Sequence, residues 1–407
     1  VGAVIQENII IRRQRGGNKM KHVWITGLGW LAPEAFADIS TAKCDSPLAP
    51  EITAFETPEG APTFGFECLS FRLEDDLPNF KGYLDRVSAM TAAACRRALR
   101  DAGLEHDKER TQRLGIAQAT LFGGLDSMEV FAKKLQSASP KFAPPLPFTH
   151  GYANAPGALT CIELGLRGPA ATFAGDGLCG LQALAFAFDA VADAKNERML
   201  AVAGDALSRA AYAHWLASGK LNPAGRRQAA EAGRPNLIPG EGAAAVLLED
   251  AEAAVARGAK PLAEICGLGL AATSSTAASA VELWEKAAVA ADWPSKLRPE
   301  DSPLFVSAAP LPDKLEKGER ELRRRFAAFG RWQANADVAP KEFCGESSAA
   351  PLLGVVLSAL VLSGRAWSHR LPPISDASSP DEFNLACVCG GDAVFADAAG
   401  IVVLRRP

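Results

Sequence analysis

Residues 167–209 read RGPAATFAGDGLCGLQALAFAFDAVADAKNERMLAVAGDALSR, and the fold turns on how this stretch is parsed. Residues 170–174 form a short apolar run suited to a β-strand. Gly175-Asp176-Gly177 follows, and glycine admits backbone angles that other residues resist, so a sharp turn is predicted here. From residue 179 to 194 almost every position is apolar and alanine recurs, the pattern of a helix buried on all sides. Asn196-Glu197 interrupts it, and residues 199–203 are a second β-type run. Strand, Gly-rich turn and buried helix place the side chain at the turn beside a helix N-terminus. Backbone N–H groups there stabilise negative charge and activate a nucleophile.

The bulk composition narrows the function classes. A chain of 407 residues accommodates two or three average domains or one large two-part α/β body. Hydrophobic content of 48% and charged content of 22% are those of a soluble globular protein, and a net charge of −4 argues against general nucleic-acid binding. The nine cysteines are scattered without a C-x-x-C pair and the five histidines are isolated, so reduced thiols in a cytoplasmic protein are expected, with no metal and no cofactor. No apolar run spans a membrane; residues 351–363 (PLLGVVLSALVLS) are too short and read as a core helix. Residues 1–19 (VGAVIQENIIIRRQRGGNK) place apolar before basic residues, the wrong order for a signal peptide, and are read as an extension upstream of the fold.

Working outward, residues 21–29 (KHVWITGLG) read as a strand ending in a Gly turn. Residues 84–104 have apolar positions at helical spacing, with Gly103 where a left-handed cap is expected. Residues 114–124 (LGIAQATLFGG) are a buried strand with a glycine pair, and residues 137–150 a Pro-rich aromatic loop. In RPNLIPGEGAAAVLLED (234–250), Gly240-Glu241-Gly242 turns into a strand, and Glu241 is read as structural, bonding a backbone loop. Another strand starts in KPLAEICGLG (260–269). Strand–helix alternation in both halves predicts a parallel or mixed sheet with helices on its faces, although the two halves show no visible repeat.

These segments resemble the β-ketoacyl-acyl-carrier-protein synthases. The opening stretch is similar to their nucleophile segment GPA-T-x-STACASGLQAL, residues 21–29 to VVITGLG, residues 84–104 to LDRFTQMALAAAREALEDAGL without a gap, and residues 234–250 to RDGFVLGEGAAALVLED. The resemblance covers about residues 20–405. It implies a thiolase-like α/β fold, five-layered αβαβα, with two fused pseudo-duplicated halves at 20–258 and 259–407.

The catalytic groups of that family are missing. Its cysteine takes the acyl chain as a thioester, and two histidines stabilise enolate charge as carbon dioxide leaves the malonyl unit. Laying GLQAL on residues 180–184 puts the cysteine position at Gly177. The first histidine motif, NAHGT-x-TPL-x-D, corresponds to PLFVSAAPLPDK (303–314), which keeps Pro310-Leu311 and Asp313 but has no histidine. The second, K-S-x-x-GH-x-x-GAAG, corresponds to KEFCGESSAAPL (341–352), where Lys341 is retained and Glu346 takes the histidine position, poised to pair with Lys341. A carboxylate there would repel an enolate. The gate motif GFGGTN corresponds to CVCGGDA (387–393), with Cys389 in the gate position. Phe122 stands before the glycine pair, where active relatives carry a smaller apolar residue beside the acyl pocket.

Loss of all three catalytic side chains on a retained scaffold resembles the chain length factors of type II polyketide and aryl-polyene systems. The resemblance implies a non-catalytic subunit that pairs with an active ketosynthase, meets an acyl carrier protein and shapes the tunnel for an acyl or polyketide chain, with no nucleic acid or membrane involved. Many chain length factors carry Gln at the cysteine position, whereas this chain carries Gly. Phe122, Leu178, Cys179, Cys389 and the 137–150 loop are the pocket, gate and interface candidates. Two alternatives stay open. One is an enzyme with a relocated nucleophile at Cys179, although two residues along a helix turn a side chain through about 200°. The other is a non-catalytic homodimer that binds acyl chains or carrier protein.

Overall fold

The computed structural model describes residues 9–10, 21–33, 49–137, 140–222, 237–272, 280–293, 298, 301–308, 311, 313–327, 337–365, 383–391 and 397–407. The first half comprises β1 (Ile9–Ile10), β2 (Val23–Leu31), α1 (Arg86–Asp101), β3 (Gly115–Thr120), α2 (Leu125–Ser137), α3 (Pro145–His150), α4 (Ala155–Leu164), β4 (Ala170–Ala174), α5 (Cys179–Ala192), β5 (Arg198–Asp205), α6 (Arg209–Ala217) and β6 (Gly242–Asp250). The second comprises β7 (Ala263–Ala272), α7 (Ala280–Ala290), β8 (Pro303–Val306), α8 (Asp313–Ala327), β9 (Asp337–Val338), α9 (Lys341–Cys344), α10 (Ala349–Leu362), β10 (Leu385–Gly391) and β11 (Ala398–Arg405).

The duplication that the sequence hides is plain in the topology. Spatial order is β4-β3-β5-β6-β2 in one half and β9-β8-β10-β11-β7 in the other. Leaving β1 aside, each half therefore runs third, second, fourth, fifth, first, with its fifth strand antiparallel to both neighbours. The halves meet where β2 pairs with β7 at Trp24–Glu264 and Ile25–Ala263. Beside this junction β1 pairs with Ala271 and Ala272 of β7, so this dipeptide of the expected extension lies on the sheet. The rest of residues 1–19 falls outside the described residues.

Strand alternation divides the core into three slabs. Leu181, Leu184, Leu352 and Val356 of α5 and α10 pack between the inner faces of both half-sheets, against Val246, Leu248, Val388 and Val402. Met90 and Leu99 of α1 cover the outer face of the first half at Ile116, Leu200 and Leu247. Leu283 and Trp284 of α7 and Leu315 and Leu322 of α8 cover the second at Phe305, Ile401 and Val403. The result is five layers, αβαβα. Helix α10, the expected core helix, is apolar all round and almost wholly buried.

Two local expectations are corrected. Gly29 was read as a turn, but β2 runs on to Leu31 and both Gly27 and Gly29 lie within it. A Cβ on them would sit 2.3 Å and 2.0 Å from the carbonyl oxygens of Ala98 and Ala94 in α1, so these glycines admit a helix backbone against the strand. The 137–150 segment, read as a loop, contains the short helix α3, started by its prolines; residues 138–139 lie outside the described residues. Among the described residues no helix is long and apolar enough to cross a membrane, and no cluster of three or more His, Cys, Asp or Glu could hold a metal ion.

Candidate functional site

The strand–turn–helix expected at 170–194 is present, and Gly177 is buried at its corner. Asp176 closes the turn. Its Oδ1 accepts from the Leu178 N–H at 2.8 Å and its carbonyl from the Cys179 N–H at 3.1 Å. Leu178 and Leu181 then pack onto Gly390 of β10 and its cross-strand partner Gly400 of β11. A Cβ at Gly390 would stand 2.7 Å from Leu181 Cδ1 and 3.0 Å from Leu178 Cδ1. The quoted family motif has alanine after its cysteine. Side-chain bulk lost at Gly177 thus reappears one residue later, on Leu178.

The N-termini of α5 and α10 meet at this corner. A Cβ at Gly180 would lie 2.3 Å from the Ser348 carbonyl oxygen. Asp205, at the end of β5, ties the corner together. It accepts from Thr120 Oγ1 at 2.7 Å, from the N–H groups of Leu121 at 2.8 Å and Phe122 at 3.2 Å, and from the Ser348 N–H at 2.7 Å. Burial raises its pKa against these bonds. Sequence reasoning passed over Asp205; a lone acid closing the apolar run MLAVAGD was the available sign. Cys179 is fully buried beside it. Burial first, then the charges of Asp205 and Asp176, push its thiol well above the usual range, so the nucleophilic thiolate is suppressed.

In the segment compared above with the second histidine motif, Lys341 and Glu346 form an ion pair. Lys341 Nζ lies 2.8 Å from Glu346 Oε2, with both side chains 3% exposed, and it also reaches the Gly391 carbonyl at 3.3 Å. Gly345, at φ +71, makes the reversal that lets the Glu346 N–H bond Ile238 and its carbonyl accept from Gly240. In the segment compared above with the first histidine motif, residues 309–310 and 312 lie outside the described residues. Glu319 of α8 accepts from the Ala308 N–H at 2.9 Å and from Ser307 Oγ at 3.2 Å. Burial pushes its carboxyl up to about 7. Sequence reasoning missed this residue too; its sign was an acid midway between Leu315 and Leu322 on one helical face.

Cys389, expected at the gate, lies on β10 in the outer slab with Trp284 and Leu315, and burial raises its thiol well above the usual range. Gly390, its neighbour, is the residue that faces α5. A cavity of about 10 Å³ remains between Ser307, Ala308, Pro340, Lys341 and Cys389, room for one water at most. Phe122 stands edge-on to Trp215 and His214 of α6, at ring separations of 5.5 Å and 5.6 Å. Glu241 has the structural role expected of it. It accepts from the N–H groups of Cys68 at 2.8 Å and Leu207 at 3.1 Å and from Arg86 Nε at 2.9 Å. Leu178 and Leu181 pack onto Gly390 and Gly400, and the Lys341–Glu346 pair and Glu319 are buried. The described residues there offer no activated nucleophile.

Comparison with known proteins agrees with the fold. Residues 67–254 match the family described as Beta-ketoacyl synthase, N-terminal domain. The chain is 27% identical over 259 residues to 3-oxoacyl-[acyl-carrier-protein] synthase 2 of Staphylococcus aureus (strain COL), covering 61% of this chain and 62% of that protein. It is 32% identical over 188 residues to Nodulation protein E of Rhizobium leguminosarum bv. trifolii, 46% of this chain and 47% of that one. The match thus spans under two thirds of these relatives' lengths. Among solved structures, a beta-ketoacyl synthase from Burkholderia phymatum STM815 superposes with a TM-score of 0.77 at 22% identity, and the ishigamide ketosynthase/chain length factor with 0.74 at 20%; each covers 95% of this chain and 100% of the other.

Proposed function

Starting from a β-ketoacyl synthase N-terminal domain at residues 67–254 within a thiolase-like ketosynthase fold, we propose that this chain is a non-catalytic chain length factor. It pairs with an active β-ketoacyl-ACP synthase in the cytoplasm, meets the acyl carrier protein and shapes the tunnel for a growing acyl or polyketide chain. The observation that carries the reading is the filled centre: Gly177 followed by the Leu178 plug, and a buried Lys341–Glu346 pair in place of a histidine. An enolate could not be stabilised beside Glu346. The raised pKa of Cys179 speaks against a relocated nucleophile.

A sheet edge unpaired among the described residues supports pairing. Strand β4 ends its half-sheet with three of its five residues exposed. Leu146, Phe148, Ile162 and Phe186 are exposed on helices α3, α4 and α5, and Phe142 and Tyr152 in the segments flanking α3; exposed apolar surface on this scale marks an interaction face. Phe122, wedged against α6, is the residue assigned to limit the tunnel on that side.

The decisive measurement is native mass, alone and after co-expression with a Cys-His-His ketosynthase, which the reading predicts to be encoded beside this chain. A one-to-one heterodimer is expected. A stable homodimer that ignores the ketosynthase would overturn the reading and favour a homodimeric binding protein.

A further inference from the structure

A polar pocket of about 270 Å³ lies where β5 begins, between the helical turn Lys108–Gln112 and the short helix Ala251–Ala256. Arg198 opens β5 at this pocket, and Asp205 closes the strand at the α5–α10 corner, about 23 Å away at about 3.3 Å per residue. The pocket is therefore separate from the site described above. Four guanidiniums, of Arg110, Arg113, Arg198 and Arg257, and two carboxylates, of Glu109 and Glu197, line it. Glu249, 0% exposed, holds two of the arginines in place. It accepts from Arg198 Nε at 2.8 Å, from Arg257 Nε at 2.9 Å and from the Thr26 hydroxyl at 2.5 Å. Arg198 Nη1 is taken by Glu197 at 3.0 Å, Arg257 Nη1 by the Ala102 carbonyl at 2.9 Å, and Arg110 pairs with Asp107. Two sets of donors are left over. Among the described residues neither Arg198 Nη2 nor the fork of Arg113 has an acceptor, and the Arg198 side chain is only 8% exposed, so Nη2 is presented from a fixed, buried stem.

We propose that this pocket binds a phosphorylated polyol: Arg113 and Arg198 take the phosphate, and Glu109 and Glu197 take hydroxyls of the carbon skeleton. Planar guanidinium forks match the spacing of phosphate oxygens, and exposed carboxylates accept from hydroxyl groups. Asp107 and Glu249 stand behind the lining, so four arginines meet four carboxylates and the pocket is balanced overall. Net field alone would not hold a bare anion there. A ligand that offers acceptors to the arginines and donors to the glutamates satisfies both sets. Ala253 and Ala256 supply the apolar wall, and no lining residue is aromatic, so nothing is present to stack a nucleotide base. Nothing in this site depends on the chain-length-factor assignment.

The test is isothermal titration of the full chain with glucose 6-phosphate, glycerol 3-phosphate, inorganic phosphate and glucose, at about pH 7.5, where the phosphate is mainly dianionic. One saturable site is expected for at least one of the two esters, about tenfold or more tighter than for inorganic phosphate, with no binding of glucose. Arg113→Ala should weaken that ester about tenfold or more, and Arg113→Lys, which keeps the charge but loses the fork, by an intermediate factor. Ala256→Asp, which adds a carboxylate to the exposed wall, should abolish binding. Arg324→Ala, on the exposed face of α8, should leave it unchanged, and thermal midpoints check that each variant folds. Absence of saturable binding by both esters, or an affinity that Arg113→Ala leaves in place, overturns the proposal. Equal affinity for inorganic phosphate and the esters overturns the assignment of the polyol.

Discussion

Glu319 shows how far one residue can depart from what its surroundings suggest in the sequence. It sits in DKLEKGERELRRRF, a run that reads as a solvated helix, yet it is 3% exposed and hydrogen-bonded to Ser307 and Ala308. Its carboxyl, pushed from 4.5 to about 7 by burial, keeps its proton in the folded protein while the unfolded chain has already released it. The stability this group contributes is therefore full below about pH 4.5 and is lost as pH rises through 7, a change of at most about 3 kcal/mol. Glu319→Gln retains an acceptor for the Ala308 N–H and cannot ionise. Between pH 5 and pH 8 the wild-type urea midpoint should fall more than the variant's; equal falls would place the ionisation elsewhere. The pairing of Lys341 with Glu346 was legible because both residues stand in one short motif-like segment. The packing of Leu178 on Gly390 and the bonds of Glu319 to Ser307 and Ala308 were not, because they depend on which slab each side chain faces.

At the scale of elements, the helices declared themselves and the glycines misled. Helix α5 was readable from its alanine-rich apolar run, and α1 from its spacing and the left-handed Gly103 after it. Gly27 and Gly29, however, serve close approach rather than a turn, and the same device recurs at Gly267 and Gly269. A Cβ on either of these would lie 2.1 Å from the carbonyl oxygen of Ala291 or Ala287. Sequence cannot separate a turn glycine from one pressed by a helix, because both show only a missing side chain. The tightest consequence falls where α5 crosses α10. Gly180→Ala should destabilise the protein by about 1–3 kcal/mol, since its Cβ would strike the Ser348 carbonyl in a fully packed slab. Gly175→Ala, with nothing within 4 Å of its Cβ, serves as the control and should stay within about 0.5 kcal/mol. Equal unfolding midpoints for the two variants would show that the crossing yields easily.

For the whole molecule, duplication was invisible in sequence because topology, unlike identity, survives divergence. Only the strand order and its antiparallel fifth members display it. Among the described residues, the edge strand β4 has five residues with alternating exposure and β9 has two. The first half carries the longer described edge, with Phe173 of β4 against Phe186 at 5.8 Å, and it also holds the aromatic contacts Phe131–Phe148 at 5.0 Å and Phe148–Tyr152 at 5.3 Å. If this face receives a second ketosynthase-fold chain, charges placed on it should block association and spare the fold. Phe148 and Phe186 are 40% and 39% exposed, so Phe148→Glu with Phe186→Glu leaves each carboxylate within reach of solvent in the isolated chain. On complex formation both carboxylates would be buried against apolar surface without partners, a cost of several kcal/mol. The double variant should keep the wild-type thermal midpoint within a few degrees and lose co-elution with the ketosynthase on size exclusion. Co-elution that persists would move the interface off this face, because two unpaired buried carboxylates cannot be accommodated there at wild-type affinity.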